Sequence, residues 1–472
     1  MLILMIMTTT FLARIDPDLI GEEGIGILSR GEDFAIGLVD QPRPGVEILT
    51  TYQPEKIYLW VRPLAGFPLV RLSKIGKIIF QKGDDYLIET DDSTIDRLDL
   101  TRLMIARLPE RPVVPRPKTE IRKFPSLDPL VQEMVDAVDS MVILDHVRTL
   151  QNDFFSRHSR TTGCSLAVAY AAQHFINLGY DSVYYHKYLS NYSPQVIAVK
   201  PGKWDDSTYV ICGHIDAVIS SGPIAYGADD NGSGSSCVME AARVMAGYEF
   251  KHRLVFICFT GEEQGLVGSY YWCRQHQNDP MFGALNFDMI AYMDRPDRLH
   301  IISDYQSQWL MNFVDSCAAY YLPGFDVRPK VDPSSRYSDH ASFWDIGVAA
   351  LCHIEYPNNW NPYYHTRGDT IGAGFNDLTF CWKTVKLGVA ALASLAEPLG
   401  PEVQEEVTSE AAYHLPGLVS GPLVLSDGLS GSVFDISGRR IATGNRFDLP
   451  GGIYFIQIEE VMARPEKFVV IR

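Results

Sequence analysis

The chain has 472 residues, a formal net charge of −17 and a pI near 5.1. That length suits two or three domains, one of them large enough for a substantial core. The acidic balance, with no basic run, excludes an electrostatic grip on nucleic acid or on an anionic membrane surface.

Residues 1–13, "MLILMIMTTTFLA", are apolar enough for the core of a signal peptide but too short to span a bilayer, which takes roughly 20 residues. They lack a basic n-region, so a signal peptide and a frayed terminus both stay open. From 14 to 108, runs such as "FAIGLV", "KIYLWVR" and "DDYLIET" read as strands between Gly, Pro and Asp turns, a β-rich N-terminal domain that is a propeptide or an accessory unit. Residues 109–127 are proline-rich and read as a linker. From 128 to 397 the pattern changes. "DPLVQEMVDAVDSMVILDHVRTL" carries a helical stripe begun by Asp and Pro, and helices then alternate with near-continuous apolar strands such as "TYVICG", "RLVFICF", "ALNFDMIAYM" and "VAALCHIE". This alternation predicts an α/β fold, a mixed but mostly parallel sheet with helices on both faces. An acidic connector, 398–418, leads to 419–472, a strand-turn-strand unit of its own.

Eight cysteines are scattered without a CxxC pair, which argues against a thiolate metal site or a disulfide framework. Cys212, Cys258 and Cys352 lie in strand-like runs and read as small buried hydrophobes.

Parallel sheets place their sites beyond the carboxyl ends of their strands. In the 128–397 region, five polar motifs follow strands: "GHIDAV" with His214 and Asp216, "GADDNGSG" with Asp229 and Asp230, "FTGEEQG" with Glu262 and Glu263, "NFDMIAY" with Asp288, and "YYHTRGDT" with His365 and Asp369. Singly each is weak. Two glutamates before a helix are usually a favourable dipole interaction, and "ADDNGSG" is usually a capped turn, with Asp230 or Asn231 as the cap. Together, imidazoles and carboxylates without thiolates suit Zn²⁺ or a neighbouring divalent ion.

The order HxD, GADD, GEE, NxDM and HTxxDT resembles the zinc aminopeptidases of peptidase family M28, the bacterial leucyl aminopeptidases in particular. The resemblance takes in "SRHSRTTGC" and "RYSDHASFWDIGVAAL" as well. It implies two Zn²⁺ per chain, with His214 and Asp288 on one, Glu263 and His365 on the other, and Asp229 bridging them. Glu262 is left as the general base, acting on a metal-bridging hydroxide. It also implies a cis peptide between Asp229 and Asp230. Asp216, two residues along the strand from His214, is placed to accept the other N–H of that imidazole. His340 reads as structural support, His353 as a core histidine, and Met289, Tyr363 and Tyr364 as lining for a hydrophobic first side chain. Tyr337 lacks the family's flanking cysteines and differs in register, which leaves an oxyanion role for it unsupported.

The substrate expected on this reading is a peptide or protein N-terminus, with hydrophobic residues favoured. A related carboxypeptidase, a glutaminyl cyclase and a non-catalytic zinc-binding protein are the alternatives; the cyclases hold one zinc, which His214 argues against. The tail, "VFDISGRRIATGNRFDLPGGIYFIQIE", resembles the C-terminal sorting domain of the type IX (Por) secretion system. It implies export machinery as a partner and a secreted or cell-surface bacterial enzyme.

Overall fold

The computed structural model describes residues 9–472 apart from 65, 92–93, 95–101, 115–125, 155, 181, 205–206, 220–223, 295–297, 356–360, 401–417, 420–421, 426–429, 436–438, 459–465 and 471–472. Most of the proline-rich and acidic connectors therefore lie outside the described residues. The chain forms two units, Met1–Gly400 and Pro401–Arg472.

The first unit opens with eight strands: β1 (Phe11–Ile15), β2 (Ile25–Arg30), β3 (Ala35–Val39), β4 (Val46–Thr51), β5 (Ile57–Pro63), β6 (Lys77–Lys82), β7 (Asp85–Thr90) and β8 (Leu103–Arg107). They make two four-stranded sheets, in the orders β2-β3-β1-β4 and β6-β7-β5-β8, antiparallel throughout. β1 takes up the last three residues of the apolar stretch 1–13, with Leu12 and Ala13 fully buried. The β-rich region has two apolar clusters of its own, around Leu59 and Ile88 and around Ile15 and Ala35, and shares a third with the α/β body. Leu12, Leu28, Tyr58, Trp60, Leu87 and Ala106 form one apolar cluster with Leu266 and Ala341 from the α/β body.

That body is built on β9 (Ser182–His186), β10 (Gln195–Lys200), β11 (Thr208–His214), β12 (Glu249–Phe250), β13 (Arg253–Phe259), β14 (Met281–Phe287), β15 (Leu299–Ser303), β16 (Val327–Val331) and β17 (Ala349–Ile354). All but β12 join one sheet, ordered β16-β15-β17-β14-β11-β13-β10-β9. The middle strands β17, β14, β11 and β13 run parallel, and antiparallel pairs bring in β10, β9 and β15. Side chains of β11 alternate between two apolar clusters. Tyr209 and Ile211 pack with helices Pro129–Asp136, Ser140–Asp153, Thr162–Asn177, Gly232–Met245, Gln308–Tyr321 and Leu378–Ala396; Val210 and Cys212 pack under Val267–Gln275 and His340–Trp344. Both faces are dry, which is why the strands read as unbroken apolar runs. All eight cysteines are free and buried.

Three local features differ from the sequence expectation. The helical stripe from Pro129 is two helices, because the Asp139 side chain accepts from Met141 N and starts a second one. The strand expected through "NFDMIAY" ends at Phe287. Asp288 makes the last ladder bond, its N–H donating to His353 O, and Met289 at φ +51° then turns the chain away. The body runs to Gly400 rather than 397, because β18 (Pro398–Leu399) pairs with β12.

The second unit holds β19 (Leu418–Val419), β20 (Leu423–Val424), β21 (Gly431–Phe434), β22 (Arg440–Gly444), β23 (Arg446–Phe447), β24 (Gly452–Ile458) and β25 (Glu466–Val470). Its sheet is ordered β19-β25-β24-β21-β22, over a core of Leu423, Leu425, Val433, Phe447, Leu449, Ile456 and Ile458.

Candidate metal centre

Four neighbouring parallel strands deliver the site. His214 is the last residue of β11; Glu262 and Glu263 follow β13, Asp288 follows β14, and His365 lies beyond β17. Asp229 and Asp230 precede the helix Gly232–Met245, whose cap is Asn231, its side chain accepting from Gly234 N at 2.8 Å. Gly234 is required there: a Cβ would meet Phe287 O at 2.1 Å, so only glycine lets the helix start press against the end of β14.

The structure draws His214, Asp230, Glu262, Glu263, Asp288 and His365 together. One Asp230 oxygen lies 3.4 Å from His214 Nε2 and the other 3.2 Å from His365 Nε2. His214 Nε2 is also 3.4 Å from Asp288 and 3.8 Å from Glu262, and His365 Nε2 is 2.8 Å from Glu263. The carboxylate between the two imidazoles is therefore that of Asp230, not Asp229. Asp229 points away: its two oxygens accept from Ala291 N and Asn361 Nδ2, both at 2.9 Å. The cis peptide is likewise displaced by one residue, to Asp230–Asn231. Nothing in the spacing of "ADDN" separates the two aspartates, and only the contacts of each side chain do so.

Asp216 lies behind His214 and holds the surrounding loops. His214 Nδ1 is 3.1 Å from the Asp216 backbone carbonyl and 3.6 Å from its carboxylate, so the main chain is the nearer acceptor. The carboxylate accepts from the Ser159 hydroxyl at 2.6 Å and from Glu263 N at 3.4 Å, and Ser159 accepts in turn from Gly261 N. Asp216 is thus a positioning group, at a remove from the reacting atoms. Asp369 accepts from the backbone N–H groups of both Asp229 and Asp230, each at 3.0 Å. Arg157 is wholly buried and donates to the carbonyls of Leu150, Ile215, Tyr226 and Gly227, tying the His214 and Asp230 loops together. Arg157 and Ser159 carried no role in the sequence reading, although both fall inside "SRHSRTTGC".

His340 and His353 stand outside the cluster. His340 Nε2 is 2.8 Å from Ser335 O, and His353 Nδ1 is 3.0 Å from Asn286 O while its ring stacks on Phe287. Burial pushes both imidazoles down to about 4. The Tyr337 hydroxyl is committed to Asp85, at 2.5 Å. Tyr364 stacks on His365 with centroids 3.8 Å apart, Met289 is buried, and Tyr363 is partly exposed beside Tyr292, a neighbour that sequence reasoning missed.

The donor set fits a divalent cation. Among the described residues the ion pairs of Asp230, Glu262, Glu263 and Asp288 run only to His214 and His365, and Glu263 Oε1 is buried without a hydrogen-bond partner. Two trios, His214–Asp230–Glu263 and His214–Glu262–Asp288, each keep their donor atoms within 4.8 Å of one another. Burial opposes charge on His214, yet Glu262 and Asp288 hold its pKa well above the usual range. Burial opposes it on His365 too, where Glu263 and Asp230 prevail. Burial, joined by Asp288 and Glu263, also raises Glu262 far above an ordinary carboxyl. So many largely buried carboxylates around two imidazoles constitute a site short of positive charge.

Comparison with known proteins agrees with this geometry. The chain is 33% identical over 193 residues to a probable leucine aminopeptidase of Arthroderma otae, covering 37% of this chain and 50% of that protein. It is 29% identical over 262 residues to a probable zinc metalloprotease of Pyrenophora tritici-repentis, covering 46% and 54%. The chain thus spans about half the length of the curated relatives it matches. The crystal structure of the Legionella pneumophila LapA aminopeptidase superposes with a TM-score of 0.60 at 23% identity, covering 74% of this chain and all of that one, a likeness of fold. Residues 195–379, the stretch that supplies all six clustered side chains, match the model of peptidase family M28.

Proposed function

We propose that the chain is a secreted di-zinc aminopeptidase that removes N-terminal residues from peptides and favours hydrophobic ones. The observation that carries this reading is the Asp230 carboxylate set between His214 and His365, each imidazole with a further carboxylate of its own. His214, Asp288 and Asp230 would hold one ion, and Glu263, His365 and Asp230 the other. Zinc in such a site polarises a carbonyl and makes water nucleophilic near neutral pH.

The chain's own residues supply the remaining chemistry. Glu262, raised by burial, is a strong enough base to take a proton from the attacking water and pass it to the departing amine. Ser159 and the Glu263 N–H fix Asp216 behind His214, and Asp369 fixes the turn that presents Asp230. Tyr292 and Tyr363 form an aromatic rim on which an apolar first side chain can rest. The second unit, with its own small core, is read as an export address recognised by secretion machinery.

The test compares hydrolysis of leucyl-anilide with that of its N-acetylated twin, before and after chelation, with zinc counted per chain. Cleavage confined to the free amine, lost on chelation and restored by two equivalents of zinc, is the expected result. Equal cleavage of both substrates would remove the exopeptidase reading, and indifference to chelation would remove the metal.

A further inference from the structure

Two loops at the centre, the one that carries Glu262 and Glu263 and the one that backs the end of β14, are gripped by the N-terminal β region. The turn after Glu262 closes through Gly265 N and Leu266 N to Glu262 O, each at 2.8 Å. Gly265, at φ +94°, lies so close to β8 that a Cβ would stand 3.1 Å from Ile105 Cγ2. Leu266 next to it is buried in the cluster that Tyr58, Trp60, Leu87 and Ala106 form. Arg107, the last residue of β8, lies over the Tyr270 ring in the helix that follows, 5.3 Å from its centroid.

The second loop is "RYSDHA". Tyr337 donates to Asp85, and Asp85 accepts from Arg62 Nε and Nη2 at 2.7 and 2.6 Å while the guanidinium lies 5.0 Å over the Tyr337 ring. Ser338 comes next, and accepts at 2.7 Å from Nδ2 of Asn286, two residues before Asp288 on the same stretch of chain. Ala341 is buried in the same shared cluster.

We propose that the N-terminal β region is a working part of the mature protein, with Asp85 a positioning residue that acts through Tyr337, Ser338 and Asn286 on the end of β14 from which Asp288 follows. A segment made to be discarded would expose Leu266 and Ala341 and free the turn that carries Glu262 and Glu263. The activity arm of the test rests on the aminopeptidase reading; the other arms do not.

Asp85→Asn and Tyr337→Phe are made in the full chain. Hydrogen exchange is followed over residues 259–268 and 335–342, and zinc affinity is measured by competition with a chelating dye. Both variants are expected to keep the far-ultraviolet spectrum, to exchange faster in those segments, and to lose about tenfold in zinc affinity and in kcat with KM little changed. A purely structural contact would lower the melting temperature and leave zinc affinity at 25 °C unmoved. Should Asp85→Asn fail to fold, Tyr337→Phe, which keeps the ring under Arg62, decides alone. Unchanged exchange and zinc affinity would overturn the proposal, as would fully active protein whose chain begins after residue 108. A wild-type chain that binds zinc but cleaves no aminoacyl amide would defeat the aminopeptidase reading, while exchange and affinity still judge this one.

Discussion

At the scale of single residues, the adjacent pairs Asp229–Asp230 and Glu262–Glu263 divide their work between neighbours. Asp229→Asn keeps an acceptor for Ala291 N, so it is expected to bind zinc normally with a lower melting temperature. Asp230→Asn is expected to lose both ions, and zinc stoichiometry on the two purified variants separates the roles. Glu262→Gln is expected to retain the metal and lose roughly a hundredfold or more in kcat, whereas Glu263→Gln is expected to weaken one metal site. Equal behaviour of the two variants would show that the assignment is wrong. Residue types and order were legible in the sequence, because chemistry restricts which side chains can hold a borderline-hard cation. Which of two consecutive aspartates faces the centre was not legible, because spacing along the chain is the same for both to within one residue.

At the scale of elements, the site is a set of strand ends that other elements must hold in register. Arg157 does this through four backbone carbonyls from three separate segments. Arg157→Met would strip those carbonyls of their guanidinium donor, Gly227 O keeping Gly232 N, and is expected to cost about 3 kcal/mol in chemical denaturation. Zinc affinity should fall with it, because the His214 and Asp230 loops both lose an anchor. The elements themselves were largely visible as period and punctuation: Asp128 with Pro129 starts a helix as expected, and the buried strands appear as apolar runs. Asp139 escaped notice because its neighbours continue the helical stripe across the break. The end of β14 at Phe287 escaped for a similar reason, since "MIAYM" is apolar enough for a strand and the turn is made by the left-handed backbone of Met289, at φ +51°.

At the scale of the whole molecule, two expectations follow. The buried imidazoles of His340 and His353 stay neutral down to about 4, while an unfolded imidazole takes its proton near 6.5, so folding excludes a proton that the unfolded chain binds. Their contribution to stability is complete above about pH 6.5 and is lost as pH falls towards 4. Melting temperatures at pH 7, 5.5 and 4.5 should fall in that order, less steeply in His353→Asn. The second unit has its own core, so a chain ended at Gly400 is expected to keep the melting transition of the first unit and its zinc content; calorimetry would expose a dependence. The sequence by itself determined the α/β body, its mixed sheet, the carboxyl-edge location of the site and the residue types in it, because hydrophobic period and ligand chemistry are local properties. It took the folded chain to decide that Asp230 is the central carboxylate, that Arg157 ties its loop to that of His214, that Ser159 holds Asp216, and that the N-terminal strands share a core with the loops of the site. Those facts depend on side-chain direction and on contacts between segments far apart in the chain, which no local pattern encodes.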